Sequence, residues 1–407
     1  MFDGQLVLDG HTGLCMDVTR SCIYLDHAAT TPLDPAVFEA MRPFLWSVAG
    51  NPSSPHASGR RAREAVETSR AQVASVLGCE PGEVIFTSGG TESDNLALIG
   101  VAEADVLLRR HIITTAIEHH AVLFAARALA ARGFDVTELS VDSFGRVRGS
   151  ELEASLRSDT LLVSIGLANN EIGTVQDFPE VARLVHKAGA LIHTDAVQAA
   201  AQMDINVDRL EVDLLSLAAH KFYGPKGVGV LYVRDGVALE RYAHGGMQER
   251  GRRSGTENVA GIVGLATALM RANEMRESRV KHFQTLSTKL AACVTSGYPQ
   301  ARLLGDGDLR LPTFVTLAFP DIDAESLLIR LDLEGVEVSS GAACATGSLE
   351  PSHVVEAIGL PAAYRNGVLR CTVGLGNTLD DIKKAGNDIV RHARALKRVA
   401  ASAPRTQ

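Results

Sequence analysis

Residues 213–229 read DLLSLAAHKFYGPKGVG: an apolar run that ends at His220 and Lys221 and then breaks into a turn marked by Gly224, Pro225 and Gly227. Glycine and proline together punctuate the end of a strand. Two more stretches follow the same plan. LIHTDAVQ (191–198) leaves Asp195 at a strand end, and IFTSGGTESDNLAL (85–98) ends a strand at Ser88 and opens a helix near Thr91, after Gly89 and Gly90. Between residues 83 and 233 such runs alternate with helical patterns, which predicts a parallel sheet covered by helices on both faces. The expected strands are 84–87, 112–116, 161–165, 191–194, 214–217 and 228–233, with helices at 93–103, 121–132 and 179–188. From about 258 to 294 the pattern is mostly helical, and a shorter strand and helix alternation begins at Phe314. That change predicts a large domain over 24–260 and a smaller α/β domain over 261–399, with 24–35 packing on the smaller one. Residues 1–23 form an N-terminal extension without readable chemistry, and 400–407 read as a frayed tail.

A chain of 407 residues with 46% apolar content can bury cores of this size. Its 40 Lys and Arg against 48 Asp and Glu give a net charge of −8 with no long basic run, so no footprint for nucleic acid is present. Six scattered cysteines do not form a secreted disulfide framework, and no leader or membrane-spanning run of roughly 20 apolar residues is seen. A reducing cytoplasm is the expected compartment.

Three strand ends carry the chemistry. A group at the C-terminal end of a strand faces the crevice of an open α/β sheet, and a lysine there can form a Schiff base with an aldehyde cofactor. Taken alone, Lys221 reads first as a solvated surface lysine. Asp195, which alone could equally cap a helix, can pair with a protonated pyridine nitrogen. At Gly89 and Gly90 small residues let backbone N–H groups approach a phosphate at a helix N-terminus. A phosphate cradle, a carboxylate and a lysine in one sheet make a more specific constellation, one that suits pyridoxal phosphate (PLP). EHHAV (118–122) adds His119 and His120, of which one could stack on the cofactor ring and carry protons. No HxxxH or CxxC spacing accompanies them, so no metal site is expected.

These motifs, together with YLDHAATTPLDP (24–35), GNPSSPH (50–56), NNEIGT (169–174), ERGRRSGTEN (249–258) and SSGAACATGSLEPSHV (339–354), resemble the PLP-dependent cysteine desulfurases of the bacterial NifS and IscS group, within the class-V aminotransferases. The likeness runs in family order from Tyr24 to about Val399. It implies a fold-type I PLP enzyme, aspartate aminotransferase-like, with a large mainly parallel-sheet domain, acting as a homodimer on L-cysteine. Lys221 would hold the cofactor aldehyde, Asp195 its pyridine nitrogen, and His119 its ring face as acid or base. Gln198 and Asn170 would contact the phenolic side, with Asn170 also near the substrate. Gly90, Thr91 and His220 would bind the phosphate, Thr256 the phosphate of the neighbouring subunit, and Arg370 the substrate carboxylate as a two-pronged fork. Cys344 would attack the substrate sulfur and keep it as a persulfide for an acceptor such as an iron–sulfur scaffold or a tRNA thiolation protein.

The loop around Cys344 is rich in Ser, Gly and Ala, which suits an exposed, mobile carrier. Cys15, Cys22, Cys79, Cys293 and Cys371 read as ordinary core or surface residues. Two positions depart from the family. Ala218 replaces a serine that binds phosphate, and CTVGLGNT (371–378) lacks the family's usual Ser and second Arg. The rival readings are a selenocysteine lyase, an aminotransferase and, outside enzymes, a PLP-binding scaffold that only docks onto a sulfur-handling partner.

Overall fold

The computed structural model describes residues 22–200, 202–340 and 351–402. Its strands are β1 (Ile23–Tyr24), β2 (Val84–Thr87), β3 (His111–Thr115), β4 (Asp135–Leu139), β5 (Thr160–Ser164), β6 (Leu191–Asp195), β7 (Leu214–Ala218), β8 (Gly229–Val233), β9 (Arg302–Leu303), β10 (Phe314–Ala318), β11 (Val336–Glu337) and β12 (Val368–Thr372). Seven of them form one sheet in the order β2-β8-β7-β6-β5-β3-β4. β4, β3, β5, β6 and β7 run parallel, whereas β8 is antiparallel to both β7 and β2. Two reversals restore direction, so β2 points the same way as the parallel strands. The C-terminal ends of β2, β3, β5, β6 and β7 therefore open on one edge, where an α/β sheet builds its crevice.

β5, β7 and β8 are buried at every position, as strands covered on both faces must be. Helix Phe178–Lys187 shows the cover: Phe178, Val181, Ala182 and Val185 fall at i, i+3, i+4 and i+7, and all are buried. The strands expected from sequence lie within a residue or two of those observed. β4 is an addition, an edge strand reading DVTEL in which only Leu139 is fully buried.

A second core forms around β10, which pairs antiparallel with β12 and β9. Helices Arg276–Gly297 and Leu379–Ser402 pack on each other beside it, and Phe283, Leu290, Leu317, Leu369 and Ile389 join Ile23 and Leu25 in its interior. Helix Val259–Glu274, in contrast, sends Ile262, Leu265 and Leu269 into the first core. The chain from Ile23 to Thr31 connects the two. Thr372 N donates to Leu25 O at 2.7 Å and Ala28 N to Thr372 Oγ1 at 2.9 Å, while Thr31 N donates to His220 O at 2.8 Å. The YLDHAATT motif thus runs from the second core to the turn that carries Lys221. Cys344, its loop from 341 to 350, and Cys15 lie outside the described residues.

Candidate active site

A cavity of about 640 Å3 opens at the C-terminal edge of the sheet, with Gly90, Thr91, His119, Asn170, Asp195, Gln198, His220, Lys221 and Arg370 in its wall. Nine of the positions singled out from sequence therefore meet in one place. Thr256 does not; it is exposed and outside this cavity.

Lys221 closes the short helical turn Ala219–Lys221 that follows β7. Its Nζ donates to Ala28 O at 2.5 Å and Ala29 O at 2.8 Å, so the DHAATT segment fixes where the amine points. Beside it, burial and the nearby Lys221 and Lys226 charges push His220 down to about 4. His220 is therefore a neutral imidazole, with Nδ1 3.2 Å from Thr30 Oγ1.

Asp195 ends β6 and accepts a hydrogen bond from Val197 N at 2.9 Å. Burial raises its pKa, opposed by His119, that N–H and Lys221. His119 caps helix His120–Ala130, its Nδ1 accepting from Ala121 N at 3.1 Å. With Nδ1 accepting, a ring proton sits on Nε2.

Helix Gly90–Ala104 starts at the end of β2 and aims its N-terminus into the cavity. Gly89 sits at φ 151°, which a side chain resists, and a Cβ on Gly90 would lie 2.9 Å from Val197 Cγ2. The absence of side chains keeps the first N–H groups accessible to an anion. Glu92 holds this end in shape: it accepts from Ser88 N at 2.7 Å and from Arg253 Nε at 2.8 Å.

Arg370, also in the cavity wall, is 2% exposed, donating through Nη1 to Asn170 O at 2.8 Å and through Nη2 to Asp26 Oδ1 at 2.9 Å. Gln198 Nε2 donates to Ala28 O at 2.9 Å. The turn bearing Asn170 is fixed by Asn169, whose Oδ1 accepts from the backbone N–H groups of Glu171 and Ile172 at 2.9 and 3.0 Å.

The site also contains buried acids that sequence reasoning missed. Glu118 accepts from Thr115 Oγ1 at 2.6 Å and Gly166 N at 2.9 Å, and burial pushes it up to about 7. Glu171, raised by burial as well, accepts from Ser352 Oγ at 2.6 Å. Asp94 is 1% exposed. Its one sequence signal is its register with Leu98 and Val101, which puts it on the inward face of its helix. The described cysteines lie elsewhere. Burial foremost pushes Cys79 and Cys371 each up to about 12, which leaves little thiolate at neutral pH, and Cys22 is exposed outside the cavity.

This arrangement can hold an anion at the helix end, a cationic heteroatom at Asp195 and an electrophile at Lys221. Residues 23–385 match the family model described as aminotransferase class-V. The chain is 45% identical over 378 residues to the cysteine desulfurase IscS of Dictyoglomus turgidum, covering 93% of this chain and 96% of that one. It superposes with a TM-score of 0.87 on a solved NifS-like protein, 40% identical, over 92% of this chain and all of the other. A structure described as SspA in complex with cysteine gives a TM-score of 0.76 at 34% identity, over 86% of this chain and 99% of its own. The chain belongs to the class-V aminotransferase family and, within it, to the cysteine desulfurases of the IscS and NifS group.

Proposed function

We propose that this cysteine desulfurase takes L-cysteine, retains its sulfur as a persulfide on Cys344, releases L-alanine, and uses pyridoxal phosphate. The carrying observation is that one cavity holds the Lys221 amine, the Asp195 carboxylate and the open N-terminus of helix Gly90–Ala104. The cradle that a Cβ on Gly90 would fill suits a phosphate, and a carboxylate desolvated at the cavity floor suits a protonated ring nitrogen. Gly90, Thr91 and His220 would hold the phosphate, Asp195 the ring nitrogen, His119 the ring face, and Gln198 and Asn170 the phenolic side. Lys221 would hold the aldehyde. Pyridoxal phosphate, when bound, supplies an electron sink for the bonds that break at the substrate's α and β carbons.

The protein's own groups do the rest. Arg370, kept in plane by Asn170 O and Asp26, orients the substrate carboxylate. Lys221 is the amine placed to move a proton at the substrate's α carbon, and His119, in the same cavity wall, offers its Nε2 proton. The Cys344 thiolate attacks the substrate sulfur: a sulfur–sulfur bond forms, the carbon–sulfur bond breaks, and its electron pair stays with the three-carbon fragment. L-cysteine and the enzyme thiol thus become L-alanine and an enzyme persulfide. That persulfide passes to an acceptor protein such as an iron–sulfur scaffold or a thiolation protein. Thr256, exposed and away from its own cavity, suits a contact across a homodimer interface.

The test is to replace Lys221→Ala and, in parallel, to reduce the purified wild type with borohydride and map the labelled peptide. The variant is expected to purify without visible absorbance and the label to fall on Lys221. A label on another lysine would reject the assignment.

A further inference from the structure

Asp94 has no part in the chemistry described above, yet it is the more deeply buried of two neighbouring carboxylates. It lies in the second turn of helix Gly90–Ala104, 1% exposed, and lines the cavity floor. Side-chain oxygen or nitrogen atoms of Asp94, Asp195 and His119 come within 4.8 Å of one another. Two carboxylates this close and this deep repel each other strongly enough that one of them keeps a proton.

The surroundings decide which one. Asp195 has a backbone N–H bond from Val197 at 2.9 Å and faces His119 and Lys221. Asp94 has less support, the one hydrogen bond that favours its charge coming from the Ser216 hydroxyl. Its Oδ1 accepts no hydrogen bond among the described residues, and the closest basic group, His193 Nε2, is 3.7 Å away. His193 is no cation. Its ring is fully buried between Ser164 Oγ at 2.8 Å and Ser216 Oγ at 3.0 Å, and burial pushes it down to about 3. The remaining groups that face Asp94 are the Ser216 hydroxyl on β7 and the Glu118 carboxyl after β3; burial foremost, then Asp195 and Glu118, raise Asp94 well above the usual carboxylate range, against the opposing hydrogen bond from Ser216. An ionised carboxylate with an orphaned oxygen in such a place costs several kcal/mol, and a neutral carboxyl far less.

We propose that Asp94 is protonated at neutral pH and acts as a positioning residue through Asp195, leaving Asp195 the single charged carboxylate that faces the cofactor's ring nitrogen. This rests on the PLP reading above. A second negative charge would hold the ring's proton more tightly at the cost of repulsion between the two carboxylates, whereas a neutral Asp94 leaves one carboxylate for one cation.

The experiment is infrared spectroscopy of the purified holoenzyme labelled with side-chain 13C-aspartate, for wild type and Asp94→Asn. The wild type is expected to show the carbonyl stretch of a protonated aspartate at neutral pH, and Asp94→Asn to lose it. Asparagine mimics the neutral acid, so Asp94→Asn should also keep the wild-type midpoint when the bound cofactor's visible band is titrated with pH. Absence of a protonated aspartate band in the wild type overturns the proposal even should the variant not fold, and so does a band that survives in Asp94→Asn or a shifted midpoint. The band reports Asp94 whatever the cofactor does, whereas failure of the PLP reading would show as a wild type without visible absorbance.

Discussion

Replacing Glu249→Ala removes the acid half of a buried ion pair that joins ERGRRSGTEN to the sheet. Arg70 and Glu249 are 4% and 6% exposed. Both guanidinium tips meet the carboxylate at 2.8 Å, Arg70 Nη1 also donates to Val84 O at 2.8 Å, and Phe86 N donates to Glu249 Oε2 at 2.9 Å. The variant loses bonds worth about 1.5–3 kcal/mol each and strands a guanidinium and an N–H. Breaking one side of such a pair destabilises by about 3–5 kcal/mol. Urea unfolding followed by circular dichroism, with an unchanged slope against denaturant, is the assay. The double variant Arg70→Met/Glu249→Leu should recover most of the loss, because it removes both charges and refills the volume. A loss below about 1 kcal/mol in Glu249→Ala, the level of a surface pair, would refute the reasoning.

Two further outcomes follow from the site. Ala218 is 1% exposed and its Cβ lies 3.7 Å from a Cβ built on Gly90, so Ala218→Ser brings a hydroxyl beside the phosphate cradle. It should tighten PLP retention in dialysis by up to about 1 kcal/mol, the net worth of one hydrogen bond; weaker retention would contradict this. Burial pushes His27 from 6.5 down to about 4. The unfolded chain then takes up its proton first, so His27's contribution is intact above pH 6.5 and is lost as pH falls toward 4. The stability gap between wild type and His27→Asn should narrow across that window, by at most about 1.4 kcal/mol per pH unit. A constant gap in urea unfolding at several pH values would count against a neutral buried His27.

Much of the site was legible because its parts sit at strand ends. Ser88, Asp195 and Lys221 each follow an apolar run, and a parallel sheet brings such ends to one edge. What escaped depends on tertiary contact. β4 reads as polar because it is an edge strand with a single fully buried residue. The reversal of β8 leaves no mark on its apolar run GVLYV. Asp94, Glu118 and Glu171 look like surface acids in a chain with 48 of them, and only the packing around them reveals their burial. Arg70 and Glu249 are 179 residues apart, beyond any local signal. Arg370 was expected as a fork for substrate, and its engagement by Asn170 O and Asp26 could not be read from LRCTVG.

The account centres on sulfur leaving the substrate for Cys344, and Cys344→Ser addresses it most directly. The substitution leaves Lys221, Asp195 and Arg370 untouched, so the variant should keep PLP and show a spectral change on adding L-cysteine. A serine hydroxyl cannot serve as the thiolate or store sulfane sulfur. Alanine and sulfide production should therefore collapse, and mass spectrometry should find the added sulfur on the Cys344 peptide of the wild type and nowhere in the variant. Full desulfurase activity in Cys344→Ser, or a persulfide mapped to Cys371 or Cys79, would contradict the account.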